Sequence, residues 1–136
     1  MNQLNLKIVT PEKEMFNDEV GMLMVTTQNG EIGILPGHIS LMTQIKPGEV
    51  KIKQGNKEFF LVVGPGLLQV SSDNVVITTD MAEKAEDIDE KAAEDARVRA
   101  KEALEQKLSV EEVAAAEAAL EKALAQLKVK RRHRVR

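Results

Sequence analysis

The chain has 136 residues, with 19 Lys and Arg against 22 Asp and Glu, a net charge of -3 and no Cys. This length allows one ordinary domain, or a compact β domain of about 80 residues with a helical appendage, and it excludes a three-domain enzyme. Without cysteine, a disulfide framework, a thiolate metal site and a cysteine nucleophile are excluded, and the reducing cytoplasm is the natural setting.

Neither a signal peptide nor a membrane span is predicted. Residues 1–14 alternate polar and apolar side chains without the apolar core that a signal peptide carries. The longest unbroken apolar run, residues 59–63, is far shorter than the roughly 20 residues needed to cross a bilayer. The sequence therefore predicts no direct membrane insertion.

The composition changes abruptly along the chain. All Gly, Pro and Phe residues precede Leu67, and every Ala follows Met81. Glycine and proline mark turns between strands, whereas alanine is the strongest helix former. The sequence predicts a β-sandwich domain over residues 1–84 and a two-helix domain with a basic tail over residues 85–136.

The first half is predicted to form short antiparallel strands. Polar and apolar residues alternate from Leu4 to Ile8, Pro11 ends that strand, and Asn29-Gly30 is a strong hairpin signal. Further strands are predicted at residues 22–27, 32–35, 41–45, 50–53, 58–63, 67–70 and 75–79. Turns are expected between them, at Pro36-Gly37, Pro47-Gly48, Gly55-Asn56, Gly64-Pro65-Gly66 and Ser72-Asp73-Asn74. This spacing favours a sandwich or flattened barrel and leaves no segment for a βαβ unit.

The second half is predicted to form a helical hairpin. Asp87 with Glu90, and Ser109 with Glu112, fit the capping-box pattern, so two helices should reverse near Leu108. The predicted apolar faces are Ile88, Ala92, Ala96, Ala100 and Ala103 on the first helix, and Val113, Ala116, Leu120, Leu124 and Leu127 on the second. Alanine seams bury little area, so the hairpin should be detachable.

The end of the chain is strongly basic. Residues 128–136 carry six bases and no acid. A basic tip on an acidic helix favours an anionic partner, and the alternative is a solvated, frayed terminus.

No pattern in the sequence indicates catalysis. His38 and His133 lie in different segments without a second ligand at metal spacing. The Gly64-Pro65-Gly66 segment lacks the Gly-Lys-Ser/Thr of a phosphate loop and is expected to be a bulge or turn. With no Trp, no Tyr and three Phe, the chain also lacks the stacking platform of a single-strand nucleic-acid binder. These features favour a protein that binds other proteins.

One long segment carries a family resemblance. Residues 30–50 read Gly-Glu-Ile-Gly-Ile-Leu-Pro-Gly-His-Ile-Ser-Leu-Met-Thr-Gln-Ile-Lys-Pro-Gly-Glu-Val. This segment closely resembles the signature of the epsilon subunit of F-type ATP synthases, and residues 6–12 and 82–89 resemble that family's first strand and strand-to-helix junction. The resemblance implies a ten-stranded antiparallel β-sandwich followed by two helices. It also implies a non-catalytic, peripheral subunit of the central stalk, at the cytoplasmic face of the bacterial inner membrane, that couples proton translocation to ATP synthesis.

The resemblance further implies which residues meet the partner subunits. Gly30 and Glu31 would lie against the c ring, with an exposed turn carboxylate as the alternative for Glu31, and His38 would lie near the gamma subunit. Basic residues of the tail would meet the alpha and beta subunits, chiefly beta, and inhibit ATP hydrolysis. Those residues are Lys128, Lys130, Arg131, Arg132, Arg134 and Arg136.

Nucleotide binding is the least supported implication. Several bacterial relatives bind ATP through an Ile-Asp-x-x-Arg-Ala motif, of which Ile88 and Asp89 are present here, whereas Ala92 replaces the arginine. Arginine can donate two hydrogen bonds to a phosphate, and alanine can donate none from its side chain. Arg97 and Arg99 lie one to two turns further on. Weak or no ATP binding, and no other cofactor, is therefore expected.

Two other functions stay open from the sequence. One is an ATP-sensing regulatory module whose helices close on the nucleotide. The other is a stand-alone β module that uses the basic tail on nucleic acid or anionic lipid, with binding that falls steeply as salt rises. The acidic body and the scarcity of aromatic residues argue against nucleic acid.

Overall fold

The computed structural model describes residues 3–133. The chain divides into two compact units, Met1–Lys84 and Ala85–Arg136. The first contains nine strands among the described residues: β1 Leu4–Val9, β2 Glu14–Val20, β3 Met22–Thr27, β4 Gly30–Ile34, β5 Leu41–Gln54, β6 Lys57–Val63, β7 Gly66–Ser71, β8 Asn74–Thr79 and β9 Ala82–Lys84. The second contains a short 3₁₀ helix, Ala85–Asp87, and two α-helices, α1 Glu90–Leu104 and α2 Val110–Arg132.

The long strand β5 organises the sheet. One of its edges pairs with β3, while its other edge pairs first with β7, over residues 41–45, and then with β6, over residues 48–54. Because a strand has only two edges, this change of neighbour bends β5 and folds the sheet back on itself. Beyond β7 the order continues β8-β1-β2, β9 pairs with β6, and β4 pairs with β3. Among the strands of residues 3–133, only the β1–β8 pair is parallel.

The bend lies where the sequence predicts a turn. Pro47 has no N–H for the ladder, and the register of β3 on β5 shifts between Val25 and Thr27. The prediction of a chain reversal at Pro47-Gly48 is therefore wrong: the two strands predicted there are the halves of one bent strand. Since each half has its own neighbour, the sheet has ten strand segments, and the predicted sandwich fold is confirmed.

Two strands were not predicted. β2, with the sequence Glu-Met-Phe-Asn-Asp-Glu-Val, buries only Val20 fully, so it lacks the alternation that marks a strand. β9 is three residues long and pairs only with β6. Both lie at sheet edges, where pairing with a neighbouring strand, and not the local sequence pattern, decides whether a strand forms.

A single apolar core lies inside the folded sheet. The predicted alternation in β1 is confirmed, because Leu4, Leu6 and Ile8 are at most 1% exposed. The other core members are Val20, Leu23, Val25, Ile34, Ile45, Val50, Ile52, Leu61, Val63, Leu68, Val70, Val75 and Ile77. Burial of each such side chain is worth roughly 1.5 to 3 kcal/mol, which is the main stabilisation of this unit.

The Gly64-Pro65-Gly66 segment is a tight connection between β6 and β7. The buried Thr79 hydroxyl lies 3.0 Å from the Gly64 carbonyl, 3.2 Å from that of Pro65 and 3.1 Å from that of Met81. The Gly64 N–H donates to the Met81 carbonyl at 2.8 Å. A strand and not a helix follows, so the segment is the predicted turn and not a phosphate loop.

We expect Gly66→Ala to destabilise the sandwich by about 2 kcal/mol or more. A Cβ at Gly66 would lie 2.0 Å from the Thr78 carbonyl oxygen and 2.9 Å from the Thr79 Cα, so β7 would have to separate from β8. Urea unfolding measures the loss. Gly33→Ala is the matched control, because its Cβ would meet only the Met24 side chain, at 4.0 Å. Equal stability of the two variants would contradict the close packing described here.

The two helices have different caps. The prediction for α2 is confirmed: the Ser109 hydroxyl accepts from Glu112 N at 3.2 Å, and Glu112 Oε1 accepts from Ser109 N at 3.0 Å. These bonds lower the pKa of Glu112 below its ordinary value. The prediction for α1 is wrong, because Asp87 ends the 3₁₀ helix and Asp89 is the cap. Asp89 caps alone, without a partner glutamate, so the capping-box pattern cannot find it.

The apolar faces of the helices also differ from the prediction. Ala93 and Ala100 are the buried alanines of α1, whereas Ala92 is exposed. A spacing of four residues advances a side chain by about 40°, so the predicted series drifts and Ala92 lies about 80° from Ala100. On α2 the buried set is Ala116, Ala123, Ala125, Leu127 and Val129, and Leu124 is 48% exposed.

Candidate functional site

The candidate interface residues Gly30 and Glu31 begin β4, just after the turn of the β3–β4 hairpin. The predicted hairpin is present, with Gln28 and Asn29 as its turn residues and Gly30 at a φ of +111°, which favours glycine. The Thr27 hydroxyl donates to the Gly30 carbonyl at 2.7 Å and accepts from Asn29 N at 3.1 Å. Since Thr27 is buried, this turn is anchored to the sandwich and presents the exposed Glu31 to solvent.

His38 lies in a tight turn after β4. Its N–H donates to the Leu35 carbonyl at 3.1 Å, and the Gly37 N–H donates to Asp73 Oδ1 at 3.0 Å. His38 Nδ1 lies 2.7 Å from the Ile39 carbonyl oxygen. A carbonyl only accepts, so Nδ1 carries the proton, and Nε2 is the ring atom left to bond with a partner.

Exposed apolar side chains flank His38. Leu35 is 57% exposed, Ile39 78% and Met42 65%, and we call these three residues the 35–42 patch. Three large apolar side chains exposed within eight residues are typical of a binding surface. This patch was not predicted from the sequence, because strands are predicted over residues 32–35 and 41–45. The signal was present in Ile39, an apolar residue within a turn.

The two expected interfaces lie at opposite ends of β4. Glu31 is at its start and Leu35 follows its end, so about 13 Å of strand separates them at roughly 3.3 Å per residue. The structure therefore does not bring Glu31 and His38 together into one site.

The residues of the degenerate nucleotide motif have structural partners. Ile88 is 3% exposed, and Asp89 Oδ1 accepts from Ala92 N at 3.1 Å as the cap of α1. Arg97 Nε donates to Glu94 Oε1 at 3.0 Å. The bond from Arg97 lowers the pKa of Glu94 below its ordinary value, so this pair stabilises above that value and weakens as the pH falls through the lowered pKa.

Arg97 and Arg99 do not converge. They are two residues apart on α1, so their side chains leave the helix on nearly opposite sides, about 160° apart. Arg99 is exposed and lies seven residues after Ala92, on the same face, whereas Arg97 is held by Glu94. A phosphate bound near Ala92 could be reached by only one of the two guanidinium groups.

Lys130 and Arg131 of the basic tail contact the start of the helical unit. Lys130 Nζ donates to the carbonyls of Glu86, at 3.2 Å, and Ala85, at 3.4 Å. Arg131 Nε donates to Glu90 Oε2 at 2.9 Å, and its Nη2 lies 3.5 Å from Glu94 Oε2.

The other basic residues of the tail differ in position. Lys128 and Arg132 are exposed near the end of α2, while Arg134 and Arg136 lie outside the described residues.

Within residues 3–133, no three His, Asp or Glu side chains are grouped as metal ligands. None of the helices in that range is long and apolar enough to cross a membrane.

Family comparisons match both units. The family described as "ATP synthase, Delta/Epsilon chain, beta-sandwich domain" matches residues 3–85, and "ATP synthase, Delta/Epsilon chain, long alpha-helix domain" matches residues 86–131. The ATP synthase epsilon chain of Nitrosococcus oceani is 43% identical over 96% of this chain and 94% of its own length. The chain belongs to the ATP synthase epsilon family. An epsilon chain of Dehalococcoides mccartyi is 42% identical over 98% of this chain and 96% of its own length.

Solved structures agree with this assignment. A chain of the Euglena gracilis mitochondrial ATP synthase, determined with OSCP, F1 and the c-ring, superposes with a TM-score of 0.79 and 25% identity, over 92% of this chain and 79% of that one. A chain of the Tetrahymena thermophila mitochondrial ATP synthase, from its central stalk and c-ring, superposes with a TM-score of 0.68 over 96% of this chain and 99% of that one. At 15% identity, this match shows likeness of fold alone. The resemblance seen in residues 30–50 is thus confirmed as membership of the epsilon family.

We expect this epsilon-family chain to bind ATP more weakly than low-micromolar affinity, and Ala92→Arg to tighten that binding. The substitution restores a guanidinium at the motif position, on the face that Arg99 shares. Isothermal titration of the isolated chain measures both affinities. Val98→Arg is the control, since it adds the same charge at another partly exposed position of α1. Low-micromolar binding by the unaltered chain would contradict the expectation.

Proposed function

We propose that the chain is a rotor subunit of the central stalk that couples proton translocation to ATP synthesis and has no catalytic site of its own. The match of both units to epsilon-chain families, at about 40% identity over nearly the whole chain, is the observation that carries this proposal. The Euglena chain, which was solved with F1 and the c-ring, supports the same assembly. The subunit would lie peripherally at the cytoplasmic face of the membrane.

Each end of β4 would meet a different partner. We assign Gly30 and Glu31 to the c ring, because a turn anchored by Thr27 presents an exposed carboxylate on a rigid base. We assign His38 and the 35–42 patch to gamma, because exposed apolar side chains beside a free imidazole nitrogen suit a protein surface. Torque from the c ring would then reach gamma through β4, the short strand that joins the two contacts.

Ile39→Asp should weaken binding to gamma by about tenfold or more, because a charge would be buried at the centre of the patch. Copurification and surface binding with the reconstituted gamma and c subunits measure the loss. Val110→Asp is the matched control, since Val110 is 83% exposed but lies on the helical unit. Thermal unfolding should be nearly unchanged in both variants. Failure of the unaltered chain to copurify with these subunits would overturn the proposed function.

The helical unit would regulate ATP hydrolysis. We propose that the basic end of α2 meets an acidic surface of the beta subunit and holds an inhibited state. The exposed cations Lys128 and Arg132 support this role, together with Lys130, Arg131, Arg134 and Arg136. Partly buried charge pairs resist screening by salt better than exposed ones, so such a contact can persist at physiological ionic strength.

Deletion of residues 128–136 should raise ATP hydrolysis by the assembled complex. Because the deletion also removes the buried Val129, a second variant, Lys128→Gln with Arg132→Gln, keeps α2 and removes two charges. At 0.2 to 1 kcal/mol per pair, we expect the loss of two pairs to raise hydrolysis by roughly twofold to thirtyfold at low salt and less at high salt. Unchanged hydrolysis across ionic strengths in both variants would exclude an inhibitory role for the tail.

A further inference from the structure

The open end of the helical hairpin is closed by polar contacts from two consecutive residues. Lys130 donates to the Ala85 and Glu86 carbonyls of the 3₁₀ helix. Arg131 lies between Glu90 and Glu94, which are one turn apart in α1. The last turn of α2 is thereby attached to the first turns of the helical unit, and we call the Arg131, Glu90 and Glu94 side chains the hairpin latch.

The latch joins charges that would otherwise repel. Glu90 and Glu94 are four residues apart on one face of α1, a spacing at which like charges are unfavourable. Arg131 reaches both carboxylates with different nitrogens, Nε on Glu90 and Nη2 on Glu94. Arg97 approaches the other oxygen of Glu94, so that carboxylate lies between two guanidinium groups. Removal of Arg131 would leave Glu90 and Glu94 one turn apart without the cation that they share.

Buried apolar side chains also lie at this end of the hairpin, among them Ile88, Leu127 and Val129, but α1 itself contributes little apolar area. The buried residues of α1 are Ala93 and Ala100, and the methyl group of alanine buries a small area. Arg131 is about half exposed, so water can replace its bonds at a modest cost. The ion pairs of Arg131 are therefore weak enough to break, and their contribution to the closed hairpin depends on charge.

We propose that Glu90 and Glu94 compete with any external anionic surface for the basic end of α2. While the latch is closed, Arg131 is neutralised within the chain, and it must leave both carboxylates before it can meet an acidic protein surface. The two glutamates thus shift the ratio of open to closed hairpins towards the closed form. The regulatory consequence rests on the inhibitory function proposed above, whereas the latch itself belongs to the isolated chain.

The test measures the hairpin directly in the full chain. Because the chain has no Cys, the exposed positions Ala92 and Leu124 can be changed to Cys and spin-labelled as a unique pair. Pulsed electron resonance then gives the distance distribution between the helices. We expect Glu90→Gln with Glu94→Gln to raise the open-to-closed ratio by roughly 1.5- to 5-fold for each ion pair lost, and high salt to reduce the difference.

Matched variants separate the latch from a general charge effect. Asp95→Asn with Glu102→Gln removes two exposed acids from the same helix and should leave the distribution unchanged. Reversing the whole cluster, with E90K, E94K and R131E together, should restore the closed state, whereas R131E alone should open it. An unchanged distribution in the Glu90 and Glu94 variant, or an equal change in the control, would overturn the latch.

The assembled complex distinguishes the latch from the function on which its consequence rests. Opening by Glu90→Gln with Glu94→Gln should strengthen inhibition of ATP hydrolysis, because the cations of α2 are released. If the distances respond and hydrolysis does not, the latch stands and the inhibitory function is excluded. If the distances do not respond, the latch is excluded whatever hydrolysis does.

Discussion

The change of neighbour along one edge of β5 is the constraint on which the sandwich depends. A strand offers two edges, and β5 uses one for β3 and divides the other between β7 and β6. Pro47 lies at the division, because it lacks the donor that would continue either ladder. The bend folds one sheet around a single core, and β3 carries β4 with it. Both ends of β4, which hold Glu31 and the turn before His38, are positioned by this bend.

The two units are stabilised by different kinds of interaction. The sandwich buries large branched side chains almost completely and has tight backbone packing at Gly66. The helical hairpin buries mostly alanines beside Ile88, Leu127 and Val129, and Lys130 and Arg131 add polar contacts at its open end. One unit therefore suits the transmission of force, and the other suits a conformational change that responds to charge and salt.

The features predicted correctly from the sequence are those that depend on interactions between residues close together in the chain. The capping box at Ser109, the alternation in β1 and the hairpin near Gly30 were all predicted, since each depends on neighbours a few residues away. The Asp89 cap and the exposed Ala92 were missed, because capping without a partner and helical drift leave little pattern. Membership of the epsilon family was also readable, from the long segment between residues 30 and 50.

The sequence by itself determined the order of β unit and helices, the alternating core, one helix cap and the family. Only the tertiary structure decided that Pro47 bends a strand instead of ending it, because that depends on which strands β5 meets. Only the structure showed the 35–42 patch and the pairing of Arg131 with Glu90 and Glu94, residues about 40 positions apart. Pairings across such distances arise from the packing of whole elements, and no local pattern of residues encodes them.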